Sequence, residues 1–557
     1  MLIAKEKSLE KIFPFLLACC FAVNATALFS DIMGPDATLY ASIAKLMIQK
    51  NDFINLFGNG DDWLDKPHLP FWLAACSYKI FGIHAFAYKL PNFFAYLLAC
   101  FFIFKICINF FNKEIAQYST LIFASSLHIA LCNFDVRAEM FLTAFILAAT
   151  YYTYLNIQKN SFKYLVVAAF FTALAIMCKG IFVVITLGAG FIIYWIKTKQ
   201  WSQFLALKWY AFVLLIVIFI IPELYCLYLQ FDTHPEKIVF GKQNVSGIKF
   251  FFWDSQFGRF FNNGPIKGSG EKLFFFHTTL WAFLPWSILL IQAAIFKLKD
   301  FKNNEFKIKH TLLFIINTCA LVTFFIFNAS KFQLPHYIVI LFPHFSILAG
   351  YYLSRNFEIK KFSFLNVGLY IITAVVIIFI TTMAYFINSN GFILMAIFLP
   401  VIIFIFYRNY NNQNPKAFVV KSISTILLLT LFLNCVYFPK IMEYQGGMMA
   451  GKFQKNKLPD TKAIMYRCND YNFEFYGNSY LKRATQASEL CKNMNSSQLF
   501  LGFNSSFATI NKDSFKVEVI EQFPDFHISE MKASFINHKT RNSVLDSFYL
   551  ATCTKIK

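Results

Sequence analysis

Trp209-Tyr-Ala-Phe-Val-Leu-Leu-Ile-Val-Ile-Phe-Ile-Ile-Pro-Glu-Leu-Tyr-Cys-Leu-Tyr228 is a largely apolar run. It is long enough to cross a bilayer as one helix, since about 20 such residues span the hydrocarbon core. Twelve comparable runs flank it, at roughly 12–29, 89–111, 115–132, 139–157, 163–178, 181–197, 274–296, 311–328, 335–353, 363–388, 391–407 and 422–438. The composition agrees. Of 557 residues, 57% are hydrophobic and 15% charged, with 73 Phe, whereas a soluble domain carries about a quarter charged residues. An ordinary soluble enzyme, a disordered chain and a collagen-like fibre are excluded. The sequence describes a polytopic membrane protein with about thirteen spans.

The net charge of +21 follows from topology and does not call for nucleic acid. With a cytoplasmic N-terminus, the cytoplasmic connections collect clusters such as Lys5, Lys7 and Lys11, or Lys297, Lys299, Lys302, Lys307 and Lys309. The short loops opposite hold Arg137, Lys179 and Lys331. That bias sets orientation by the positive-inside rule. Counting Leu69–Ile83 as a span would turn every later Lys-rich loop outward. Its Trp72, Tyr78 and Lys79 instead suit a helix lying at the outer interface. Leu39, Ile43, Leu46 and Met47 recur at helical spacing from Ala37 to Lys50 and predict a second such helix. The first run lacks a small-x-small cleavage site before Ser30–Asp36 and is expected to persist as a span.

Two long loops, about 30–88 and 229–273, then face outward, followed by a polar tail. The expected organisation is a membrane domain over 1–438 and a small α/β domain over 439–557. Strands are expected at Ala463–Cys468, Gln498–Phe503, Phe515–Phe523 and Phe548–Thr554, with helix at Ala487–Asn493. The 13 Cys include no Cys-x-x-Cys pair, so structural zinc has no support. In the tail, Cys468 and Cys491 could pair in an oxidising compartment, with Cys553 left over; three buried thiols are an equal reading.

Chemistry is sought in polar groups that a membrane protein has no cheap reason to keep. The first outward loop holds Asp31, Asp36, Asp52, Asp61, Asp62 and Asp65. Asp36 opens the first amphipathic helix, where an N-cap role alone would account for it. Asp65-Lys66-Pro67-His68-Leu69-Pro70 places a cation at headgroup depth; snorkelling explains a Lys there, and so does phosphate binding. Asp135, Arg137 and Glu139 share one outward turn, and mutual ion pairing is the plain explanation. Lys179-Gly180, Ser330-Lys-Phe-Gln-Leu-Pro-His-Tyr337 and Arg259 complete the outward set. Charges from loops far apart in sequence thus converge on one membrane face.

Asp36-x-x-x-Tyr40, Asp65-Lys66-Pro67, Lys179-Gly180 and Ser330-Lys-x-Gln-Leu-Pro-His-Tyr337, in this order, resemble the GT-C superfamily of polyprenyl-phosphate-dependent membrane glycosyltransferases. That superfamily includes the protein O-mannosyltransferases and the aminoarabinose transferases of lipid A. The similarity covers about 30–350, and the thirteen-span-plus-tail plan is closest to the lipid A branch. It implies an all-α GT-C membrane domain with interfacial helices in the first loop and a C-terminal α/β domain. The resemblance gives Asp36, Asp65 and Glu139 catalytic positions, with Tyr40, Lys66, Lys179, Arg259, Lys331 and Tyr337 around the donor phosphate and its pocket. Two positions depart from the pattern: Ala37 stands where a second acid is common, and Glu139 where Asp is usual.

The implied reaction moves a sugar from undecaprenyl or another polyprenyl phosphate to lipid A or a related envelope glycolipid, with inversion. An amino sugar and a neutral hexose are both open. Transfer to protein Ser or Thr is the alternative, and a lipid-linked sugar flippase is a remote one, since transporters keep charges at mid-membrane and show repeats. No cofactor or metal site is expected, although a divalent metal stays open. The implied location is the bacterial inner membrane, with site and tail facing the periplasm.

Overall fold

The computed structural model describes residues 9–58, 60–302, 311–355, 359–409, 414–461, 463–477, 482–484, 486, 489, 499–503 and 515–555. Among these, nine helices are long and apolar enough to cross a membrane. A bent pair, Lys113–Ala124 and Leu127–Phe134 at 52° to each other, makes a tenth when counted as one span. The apolar helices Phe13–Phe29, Val183–Lys197 and Ser287–Lys297 are shorter. Each of the thirteen expected runs is therefore helical. The tenth bends where Ser125 and Ser126 turn their hydroxyls back onto the Leu121 and Ile122 carbonyls, an arrangement that competes with helix continuation.

One expected span is interrupted. The run 274–296 divides into Phe274–Ala282 and a helix from Ser287 to Lys302. Pro285 lies in the break and has no N–H to continue the ladder. Trp286, fully buried, sits there and donates its indole N–H to Ser125 at 3.2 Å, so the two interruptions pack against each other.

Both amphipathic stretches form helices, Asp36–Lys50 and Leu69–Phe81. They pack together, with Tyr40 edge-on to Phe71 at 5.5 Å. Ile43, Ala44, Phe71, Ala74 and Ala75 lie in their shared apolar core. The hairpin β1 (Phe57–Gly58) and β2 (Asp61–Asp62) lies between them.

The tail carries β3 (Ala463–Tyr466), β4 (Lys482–Ala484), β5 (Leu499–Phe503), β6 (Phe515–Asp525) and β7 (Asp546–Lys555) in one sheet. Their spatial order is β4-β3-β5-β7-β6. β3 runs parallel to β4 and β5, and β7 runs antiparallel to β5 and β6. All four expected strands are present; β4, three residues without an alternating pattern, was not foreseen. Apart from Glu489, the expected helix Ala487–Asn493, with Cys491, lies outside the described residues. Alternation sends Met465, Phe548 and Leu550 to one face, with Phe473, and Ile464, Tyr466, Ala551 and Cys553 to the other. Cys468 and Cys553 are buried in this core.

Lys45 ties the tail to the helix Asp36–Lys50. Its buried ammonium donates to the carbonyls of Glu474, Phe475 and Gly477 at 2.7, 2.9 and 2.6 Å. Those carbonyls end the tail helix Tyr471–Tyr476, where orphan acceptors and the helix dipole both favour a cation. Gly34 N–H to Gln445 and Lys452 to Asp31 add to the same seam.

Candidate active site

The loops expected to face outward bring three ion clusters together. Asp36 lies in the first turn of its helix, and the Arg137 guanidinium, from the short turn after Phe134, reaches its Oδ2 at 2.8 Å. The Nε of the same guanidinium holds Asp135 at 3.0 Å. One cation therefore orders two acids, so the plain ion-pairing account of this turn extends across to Asp36.

The second cluster is centred on Asp65. Lys66 Nζ meets Oδ2 at 2.5 Å, and Arg259, from the second long loop, meets Oδ1. Burial alone would raise the Asp65 carboxyl, but the two cations outweigh it and hold it below the usual carboxylate range. Burial pushes the Lys66 ammonium below its ordinary value, against the pull of Asp65. The Arg259 guanidinium lies 5.2 Å over the Phe332 ring, and its Nε is buried with no hydrogen-bond partner.

Glu139 and Lys179 form the third cluster as a buried ion pair. Lys179 also sits 3.6 Å over the Tyr337 ring, and His336 Nε2 approaches Glu139 Oε1 at 3.5 Å. Gly180 ends the Lys179 helix at φ +115°, a left-handed value suited to glycine. A Cβ there would fall 2.1 Å from the Gln256 amide, which donates to the Lys179 carbonyl at 3.2 Å.

Two cavities meet at the Asp65 cluster. The larger, about 610 Å³, is walled by apolar side chains including Phe182, Ile185, Phe250, Phe275 and Ile326. The smaller, about 330 Å³, carries Asp36, Tyr40, Arg137, Glu139 and His336. Asp65, Lys66, Arg259, Phe332 and Tyr337 line both. The arrangement is a polar chamber and an apolar slot joined by a cationic rim. It suits a molecule with a long hydrocarbon part, an anionic group and a polar head.

Of the residues expected at the site, Asp36, Tyr40, Asp65, Lys66, Glu139, Arg259 and Tyr337 line the smaller cavity. Lys179 lines the larger one. Lys331 lines neither. The Ser330 hydroxyl folds its turn by accepting from Phe332 N–H, which sends Phe332 to the cavities and leaves Lys331 exposed. Sequence reasoning passed over His336, although it lies inside the quoted Leu-Pro-His-Tyr motif. It also passed over Glu223, a buried carboxylate in an otherwise apolar span that lines the larger cavity. An acid in such a span is costly and signals a partner. Among the described residues, no three His, Cys, Asp or Glu side chains gather as a metal would require.

A bundle of apolar spans with a charged chamber beside an apolar slot is an architecture with relatives of known structure and sequence. Residues 65–226 match the family described as dolichyl-phosphate-mannose-protein mannosyltransferase. The crystal structure of ArnT from Cupriavidus metallidurans bound to undecaprenyl phosphate superposes with TM-score 0.73 over 98% of each chain, at 16% identity. By sequence, the chain is 24% identical to an "Uncharacterized protein" of Aquifex aeolicus over 82% of itself and 85% of that protein. It is also 24% identical to the undecaprenyl phosphate-alpha-4-amino-4-deoxy-L-arabinose arabinosyl transferase of Shewanella sediminis over 59% of itself. That match spans 57% of the Shewanella protein's length.

Proposed function

We propose that this chain is a membrane glycosyltransferase that moves a sugar from a polyprenyl phosphate to lipid A or another envelope glycolipid. The setting would be the periplasmic face of the bacterial inner membrane. The observation that carries the reading is the pair of cavities sharing Lys66 and Arg259. A polyprenyl chain fits the apolar slot, its phosphate the rim, and its sugar the polar chamber. The names of the Shewanella relative and of the Cupriavidus complex support the donor class.

In this reading the glycosidic C–O bond to phosphate breaks as the acceptor oxygen attacks the opposite face, inverting the anomeric carbon. The leaving phosphate gains negative charge, which Lys66 and Arg259 are placed to stabilise. A cation about 4 Å from that charge contributes on the order of 4 kcal/mol at an effective dielectric near 20. Asp36, held by Arg137, would orient the acceptor. A phosphate acceptor is already ionised and needs no strong base, which suits the Ala37 position.

Transfer to a Ser or Thr hydroxyl is the second reading, favoured by the Glu139–His336 contact. That pair could take the proton a hydroxyl must lose. Purified protein in lipid nanodiscs, supplied with labelled polyprenyl-phosphate sugar and either lipid A or a Ser/Thr peptide, separates the two. Label on lipid A with release of polyprenyl phosphate supports the first reading and label on peptide the second. Release with neither acceptor, or no release, rejects both.

A further inference from the structure

The segment carrying Asp65 and Lys66 is a loop, and something other than its own short hairpin must hold it. Two side chains of one helical stretch, Leu207–Asp232, grip it from below. Gln230 accepts from Leu56 N–H at 2.9 Å and donates to the Leu56 carbonyl and Asp62 at 2.8 and 2.9 Å. Glu223, seven residues earlier, lies two turns away on the same side of the stretch. Its Oε2 accepts from the His68 backbone N–H at 3.0 Å, and its Oε1 faces His68 Nδ1 at 2.9 Å. His68 Nε2 faces the Ile54 carbonyl at 2.8 Å. Both side chains of the His68–Glu223 pair are wholly buried.

Both nitrogens of His68 thus face acceptors, which is satisfied when each carries a proton. The ring is then an imidazolium against a carboxylate, spanning both ends of the 54–68 segment. Two residues from His68 stands Lys66. We propose that Glu223 and His68 form a buried latch that positions Lys66 at the cationic rim. The proposal rests on the reading of that rim as a phosphate site. Neither residue need touch the reacting atoms; they act by fixing where Lys66 stands.

Glu223→Gln tests this, because the amide keeps the shape and can still accept while losing the charge. Hydrogen–deuterium exchange read over 52–68 needs no ligand. Faster exchange there, with the tail sheet unchanged, is expected; unchanged exchange would overturn the latch. In parallel, binding of undecaprenyl phosphate to the same protein should weaken about tenfold, with donor KM raised and kcat within about twofold. Loosened exchange with wild-type binding would also overturn the positioning role. If wild-type protein itself fails to bind undecaprenyl phosphate, the donor reading falls, while the exchange result still decides the latch. Should Glu223→Gln not fold, His68→Gln gives the same two readouts.

Discussion

Arg259 and Asp65 are separated by 194 residues, yet the guanidinium of one closes on the carboxylate of the other. The contact joins the second long loop to the first and leaves the other Asp65 oxygen for Lys66. Two cations neutralised by one acid leave a net positive charge at the junction of the cavities, which is what an arriving phosphate would meet.

Removing either cation should therefore cripple transfer. Lys66→Ala and Arg259→Ala are each expected to lower kcat/KM by about 100-fold or more, in line with the loss of one donor or charge at a transition state. Both variants should stay folded in detergent, because Asp65 keeps its other partner. Polyprenyl phosphate release, measured beside thermal unfolding, checks this. Near wild-type turnover in both would reduce these residues to snorkelling and loop solvation.

Asp36→Asn is expected to act differently. Its carboxylate lies in the polar chamber and not in the apolar slot, so turnover should fall far more than donor affinity. The amide can still accept from Arg137, which keeps the turn in place. A KM-against-kcat comparison decides it: weakened donor binding with unchanged kcat would make Asp36 a binding residue.

Much of this was legible from sequence, for reasons that differ by element. Apolar runs of spanning length leave little choice, and the two stretches expected to form separate helices in the first long loop do so, as Asp36–Lys50 and Leu69–Phe81. The acids and cations of the chamber were legible because charge is expensive there. What escaped was pairing. Nothing near Glu223 in the chain says that His68, 155 residues away, will face it. Lys331 shows the converse: it stands in a quoted motif, but a Ser330 hydroxyl sets the turn's phase, and Phe332 lines the cavities in its place. β4 has three residues, too few for a period of two to show.

The His68 ring gives a pH dependence with a definite sign. Burial alone would lower its pKa, but Glu223, the Ile54 carbonyl and Asp52 raise it above 6.5 overall. A raised folded value means the pair's stabilisation is complete below the unfolded pKa of about 6.5 and fades as pH rises through the folded value. Donor binding by wild-type protein should weaken as pH rises through that folded value. In Glu223→Gln this weakening should disappear, since the amide cannot hold the imidazolium. Identical pH profiles for the two proteins would contradict the assignment.

Lys45 supplies the last expectation, on the attachment of the tail. Its ammonium serves three carbonyls at the end of Tyr471–Tyr476, and hydrogen bonds from a charged donor each contribute about 1.5–3 kcal/mol. Lys45→Met keeps the length of the stem and removes the donor, leaving the three acceptors buried without it. The expected cost is about 3–5 kcal/mol in docking, less than a simple sum because the carbonyls can recover some water on separation. Limited proteolysis should then cut near Gly446–Lys457, the helix that joins membrane domain and sheet, faster than in wild type. Lys45→Arg, which retains a charged donor, should restore part of the protection. Equal cleavage rates in all three proteins would mean that the Asp31–Lys452 pair and the Gly34–Gln445 bond hold the tail without Lys45.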